Sequence, residues 1–219
     1  MPKKKTQATP PKVVDPEKVF LQACFFDYSS CVLEDAFMVR VKRMQAAADA
    51  FEVTAAPLPS SPLRVARTFH GKKWDILPPT LIPSLVNGAF AIELYLKTLV
   101  FLDTGKMPTG HKLSTLFNSL SHARRKRLAE IYTEEFNKDR LLVHERNVAS
   151  DKGSYDLLPQ LIRNDDTFVA VRYVYELSAW TGNTMTVLRN AARRLCGEIK
   201  PGWRRLQNAL GKRPTLQHR

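Results

Sequence analysis

The chain alternates apolar-rich stretches with short polar breaks, and the spacing inside the stretches is helical. The strongest pattern runs through Ser84–Ser119. Leu85, Ala89, Ile92, Leu96, Leu99 and Leu102 recur at intervals of three and four, which places them on one face of a helix. Phe90, Leu94 and Phe101 widen that face, so the helix is expected to be buried over most of its girth. Glu93 and Lys97 interrupt it four residues apart and therefore share one side. Thr80 is the expected N-cap, with Pro83 tolerated in the first turn. Asp103, Thr104 and Gly105 stop the helix, glycine being suited to the left-handed C-cap.

The same reasoning predicts helices along most of the chain. Asp15-Pro16-Glu17 is a helix start, and Leu21, Phe25, Tyr28, Val32, Ala36 and Val39 keep helical spacing. The pattern predicts a helix over 16–52, with a kink near Ser29–Ser30 and with Phe20, Cys24 and Cys31 in the core. Five prolines between 57 and 79 predict an extended basic connection at 54–79. Lys112–Leu120 reads as a short helix. Ser121 is the expected cap of a single helix over 122–147, whose buried stripe is Leu128, Ile131, Tyr132, Phe136, Leu141 and Leu142. A loop at 150–155 and an apolar turn at 157–162 follow. Asn164–Thr167 opens a helix expected to run to about 195, with Gly182 and Asn183 as a candidate break. Gly197–Gly202 reads as a hinge, and 203–210 as a last short helix. No strand or internal repeat is expected, so the fold class is all-α.

Composition changes this picture in one respect. The net charge is +13, and it sits at the ends. Residues 1–14 hold four lysines and no acid; residues 189–219 hold nine Lys or Arg against Glu198. The body between them is close to neutral. This divides the chain into a disordered basic N-terminus (1–14), a helical domain (15–196) and a basic C-terminal extension (197–219). Such an asymmetry favours an anionic partner, or serves as a solubilising tail. The apolar run Leu85–Leu102 approaches the length of a membrane span, but Asn87, Glu93 and Lys97 make a lipid-facing helix costly. It is read as a buried helix, with no membrane. Three cysteines without a Cys-x-x-Cys fit a cytoplasmic protein with no structural zinc site.

The segment Ala91-Ile-Glu-Leu-Tyr-Leu-Lys97, followed by Gly110-His-Lys-Leu113 and Leu116, resembles the central helix pair of HEPN-like domains. Phe168-Val-Ala-Val-Arg-Tyr-Val-Tyr-Glu176 is similar to a later helix in some branches of that family. The resemblance spans roughly residues 80–195. It implies a helical bundle of HEPN-like type with flexible basic ends, a homodimer, and association with RNA. The setting it implies is bacterial defence or a toxin–antitoxin system, where an antitoxin-type protein is the partner. Some members are metal-independent endoribonucleases, in which a His moves a proton at the ribose 2′-hydroxyl and an Arg stabilises the phosphate. Their Arg and His are separated by four to six residues. Here Arg64/His70 and Arg213/His218 have that spacing but lie outside the expected core, and Arg163-Asn164 has no His after it.

Candidate sites follow from charge placed on apolar elements. Glu93, Lys97, Arg172 and Glu176 could form one polar network between two packed helices, either structural or lining a cleft with His111. His111 follows Gly110 at the start of a helix, where an uncharged ring could serve as a general base. His111 with Arg172, or Arg140 with His144 four residues on, are the candidate catalytic pairs. The candidate nucleic-acid contacts are Arg124, Arg125, Lys126, Arg127, Arg193, Arg194, Lys200, Trp203, Arg204 and Arg205. The first four crowd a helix N-terminus against its dipole. Trp203 is suited either to base stacking or to pinning the last helix onto the bundle. No P-loop, dinucleotide fingerprint, nucleophile elbow or zinc-protease motif occurs, and no cofactor or metal is expected.

Overall fold

A computed structural model describes residues 14–49, 81–165 and 182–210. All regular structure among them is helical. In chain order the elements are α1 (Pro16–Asp49), α2 (Leu81–Thr104), α3 (Leu113–Asn118), α4 (His122–Lys138), α5 (Arg140–Val148), α6 (Leu157–Arg163), α7 (Gly182–Ile199) and α8 (Trp203–Leu210). A short 3-10 turn at Lys152–Tyr155 precedes α6. The N-terminal lysines, the 54–79 connection, Thr80, the Arg64/His70 and Arg213/His218 pairs, and the Phe168–Glu176 segment with Arg172 and Glu176 lie outside the described residues.

The expected central helix is the centre of the bundle. It packs on α1 and on α7, and α4 packs on α7. Leu85, Ala89, Ile92, Leu96 and Leu99 are all buried, and so are Ala91, Tyr95 and Val100 on neighbouring strips. α2 is long and apolar enough to cross a membrane by length and composition, yet 61% of its apolar window is buried within the bundle. It stops where expected. Gly105 adopts φ +71°, and its N–H donates to the Phe101 carbonyl at 2.8 Å.

Three expectations need correction. First, α1 runs unbroken through Ser29–Ser30 and buries a different face from the one its apolar spacing suggested. Its buried residues are Phe20, Ala23, Cys24, Asp27, Ser30 and Phe37, whereas Phe25 is 56% exposed and Cys31 half-buried. Apolar residues ring this helix, so periodicity alone selects no face; the polar partners of Asp27 and Ser30 on α2 and α7 select it. Second, the helix expected over 122–147 is two helices. Asp139 takes extended backbone (φ −90°, ψ 100°) and its carboxylate accepts from the N–H groups of Leu141 and Leu142, at 3.0 and 3.2 Å. Aspartate is a better N-cap than a helix-interior residue, so the chain breaks there. The break leaves Leu142 buried and turns Leu141 outward.

Asn164 and Asp165 form the turn that closes α6; of the helix expected from there to about 195, residues 166–181 lie outside the described residues and the part from Gly182 is α7. Asp165 turns back to α3, where it accepts from the backbone N–H and the hydroxyl of Ser114. Third, the hinge expected over Gly197–Gly202 is narrower: Gly197 is buried inside α7, and the chain bends at 200–202, where the Trp203 N–H donates to the Lys200 carbonyl at 2.9 Å. Trp203 then stacks on Phe20, with centroids 4.5 Å apart. The packed domain therefore extends past residue 196 to include the start of α8.

Candidate functional site

Three groupings of polar residues stand out, two of them anticipated by the sequence. The first is built on α2. One turn of helix carries Lys97 over Glu93, and Lys97 Nζ lies 2.8 Å from Glu93 Oε1. The loop after α2 returns His111 to the same carboxylate, with Nδ1 at 2.9 Å from Oε1. Because a carboxylate only accepts, Nδ1 carries the proton in this contact. The Glu93 side chain is 7% exposed and that of His111 is 71% exposed. A buried anion thus orients an exposed imidazole whose Nε2 is left to solvent. His111 itself lies two residues before α3, and Lys112 is the N-cap position.

The other candidate pair is plainer. Arg140 and His144 are both exposed on α5, with no ion pair to an acid among the described residues.

The second grouping is the basic set, which the fold divides. Arg124 Nε pairs with Asp103 at 3.1 Å, and Nη2 donates to the Leu102 carbonyl. Asp103 also accepts from the Ser121 N–H, which ties the end of α2 to the start of α4. Ser121 occupies the expected cap position, but its own side chain makes no capping bond. Arg127 grips Glu198 with two nitrogens at 2.9 Å each and also reaches Glu130 and Glu134. The bond from Arg127 holds the Glu198 carboxyl below its usual range. Arg194 pairs with Glu134 at 2.7 Å, Glu135 and Glu198. Arg193 pairs with Asp27 at 3.0 Å. Arg127 and Arg194 thus zip α4 and α7 together, Arg124 ties α4 to the end of α2, and Arg193 ties α7 to α1. Arg125 is half-buried.

Lys126, Lys200, Arg204 and Arg205 differ. All are exposed and, among the described residues, none has an ion-paired acid. The Arg127–Glu198 contact sets the first turn of α4 beside the last turn of α7, so Lys126 shares one end of the bundle with Lys200 and the turn into α8. Trp203 sits among them but is 8% exposed and stacked on Phe20. Of its two expected roles it takes the pin, and it offers no face for base stacking.

The third grouping was not anticipated. Asp27 and Ser30 of α1, Ser84 and Tyr95 of α2, and Arg189 of α7 are all buried and converge between the three helices. Arg189 Nε lies 2.8 Å from Asp27 Oδ1, and Nη1 donates to Ser30 Oγ at 2.6 Å. Glu34 stands 3.5 Å from Nη2. Tyr95 donates its hydroxyl to Asp27 Oδ2 at 3.0 Å, and Ser30 and Ser84 each donate to the other's carbonyl. Among the described residues, two acids (Asp27 and Glu34) and two arginines (Arg189 and Arg193) balance in charge. Burial opposes the charge on Arg189, but Asp27 and Glu34 outweigh it and raise its pKa. Burial and Asp27 push the Tyr95 hydroxyl well up, and burial pushes the Cys24 thiol up to about 11. Asp27, Ser30, Ser84, Tyr95 and Arg189 are withdrawn from water and bond to one another, which fits a specifying role in the core better than a ligand site. A sequence signal for it exists: Asp27, Ser30 and Glu34 form a helical polar stripe, and Arg189 and Arg193 form its cationic complement.

No protein-family model, curated protein or solved structure matches the chain.

Proposed function

We propose that this chain is a nucleic-acid-binding helical protein of HEPN-like type, with RNA as its ligand, held at the end of the bundle where α4 begins and α7 turns into α8. The observation that carries the reading is the division among the cations. Arg124, Arg127, Arg193 and Arg194 are neutralised by acids, whereas Lys126, Lys200, Arg204 and Arg205 stay exposed at one end. From residue 200 onward the chain has six Lys or Arg and no acid. Uncompensated cations of this kind bind phosphate by releasing condensed counterions, so affinity falls linearly on a log–log plot against salt. The RNA preference, the bacterial defence or toxin–antitoxin setting, the antitoxin-type partner and the homodimer rest on the family resemblance of the Glu93–Leu116 region. Light scattering at micromolar concentration tests the dimer; a mass of one chain, 24.9 kDa, removes it. Fluorescence anisotropy with a labelled RNA tests the binding. Charge reversal at Lys200, Arg204 and Arg205 should abolish most of the affinity and flatten the salt slope. Affinity equal to that of the unsubstituted chain moves the reading to a protein-interaction scaffold.

A second reading, a metal-independent endoribonuclease, is favoured by one observation: the buried Glu93 carboxylate orienting the exposed His111 ring. A carboxylate that fixes one ring nitrogen leaves the other poised to move a proton. RNA cleavage in the presence of a chelator, lost in His111→Ala and reduced in Glu93→Gln, supports it. Unchanged cleavage in both variants assigns any nuclease activity elsewhere.

A further inference from the structure

The basic end combines dense charge with a withheld aromatic. Trp203 is the sole Phe, Trp or Tyr from residue 200 to the end of the chain. Its ring lies flat on Phe20, with an interplanar angle of 23°, and 8% of the residue is exposed. Phe20 in turn sits 5.8 Å from Tyr95 with its ring tilted, so this indole belongs to a continuous aromatic cluster in the core. Freeing it for a base would empty its place in that cluster. Around it stand Lys200, Arg204 and Arg205, all exposed, with Lys126 one helix away.

We infer that this surface reads the phosphate backbone alone, and that its preferred ligand is a nucleic-acid duplex bound without regard to base sequence. The inference rests on the binding reading above. Proteins that favour single strands combine a basic groove with aromatic platforms on which bases stack, each stacked base contributing about 1–3 kcal/mol. Here the one aromatic that the chain carries from residue 200 onward, among these cations, is spent on the core. What remains is attraction to phosphate, which positions a protein on its ligand but carries no sequence information. A contact of that kind follows charge density. A duplex carries one charge per about 1.7 Å of its axis, more densely than a single strand, and releases about 0.9 counterion per contact against about 0.7. The cations also stand on two separate elements, the first turn of α4 and the turn into α8. Duplex RNA and duplex DNA share the chemistry that this surface recognises.

The test uses the full chain with four labelled probes of equal length: an RNA duplex, a duplex of scrambled sequence, the corresponding DNA duplex, and one RNA strand alone. Each is titrated by anisotropy at several salt concentrations. The expected result is that scrambling changes the dissociation constant less than about twofold and that either duplex binds more tightly than the single strand. The salt slope should be steeper on the duplexes. Arg204→Gln with Arg205→Gln should lower the slope by about one for each cation that touches phosphate. Trp203→Phe, which keeps an aromatic ring in the core, should leave affinity for every probe unchanged. Tighter binding to the single strand, dependence on base sequence, or a loss of affinity in a folded Trp203→Phe overturns this inference and leaves the binding reading standing. No salt-dependent binding to any of the four removes both.

Discussion

Arg189 of α7 reaches across the bundle to Asp27 of α1, Nε to Oδ1 at 2.8 Å, with both side chains withdrawn from water to 3% and 4% exposure. Removing one partner from such a pair leaves the other charged and unsolvated.

Asp27→Ala should therefore cost about 3–5 kcal/mol, because Arg189 and Arg193 both lose their shared carboxylate. Asp27→Asn should cost less, since it keeps the shape and an acceptor for Tyr95. Urea unfolding read as a midpoint shift at constant slope measures both. A cost below about 1 kcal/mol for the alanine variant would show that the pair is not held as described.

The buried face of α1 can be tested with two phenylalanines five residues apart. Phe20 is fully buried between Tyr95 and Trp203, and Phe20→Ala should cost about 3–5 kcal/mol. Phe25 is 56% exposed, and Phe25→Ser should change stability by about 0.5 kcal/mol or less. The reverse order of sensitivities would restore the face that apolar spacing suggested. On α2, Leu96→Ala should cost about 2–5 kcal/mol, as its site is fully enclosed.

Where the chain is cut at its C-terminal end matters. A chain ending at Cys196 loses Glu198, which clasps Arg127 and Arg194, and Trp203, which caps the aromatic cluster. It should unfold at markedly lower urea than the full chain. A chain ending at Leu210 keeps both and should hold its midpoint while losing Lys212, Arg213 and Arg219. Equal midpoints for the two truncations would place Trp203 outside the core.

Stability should fall on both sides of neutral pH. Burial raises the Cys24 thiol from 9.0 to about 11. The unfolded chain then releases its proton first, so the contribution is intact below pH 9 and is lost as pH rises through 11. The loss should be about 2–3 kcal/mol, and Cys24→Ala should remove it. On the acid side, Arg127 lowers the Glu198 carboxyl. Its contribution is present above the unfolded value of 4.5 and fades as pH drops through the lower folded one. Unfolding midpoints from pH 2 to 11 trace both limbs, and Glu198→Gln should flatten the acid one.

The sequence by itself determined the helical class, the reach of α2 and the place where it stops, because these follow from local spacing and from one glycine that accepts φ +71°. It also brought Glu93, Lys97 and His111 into one argument, since two are four apart on a helix and the third opens the next loop. Only the tertiary structure decided which face of α1 is inside, because apolar residues ring that helix and the choice falls to partners on α2 and α7. It likewise decided which cations remain available. A run of arginines looks the same on paper whether it meets acids or water, and Glu198, Glu134, Asp103 and Asp27 are remote in sequence from the arginines they neutralise. The fate of Trp203 was of the same kind: its neighbours in the chain are charged, but the residue that claims it is Phe20, at the other end of the domain.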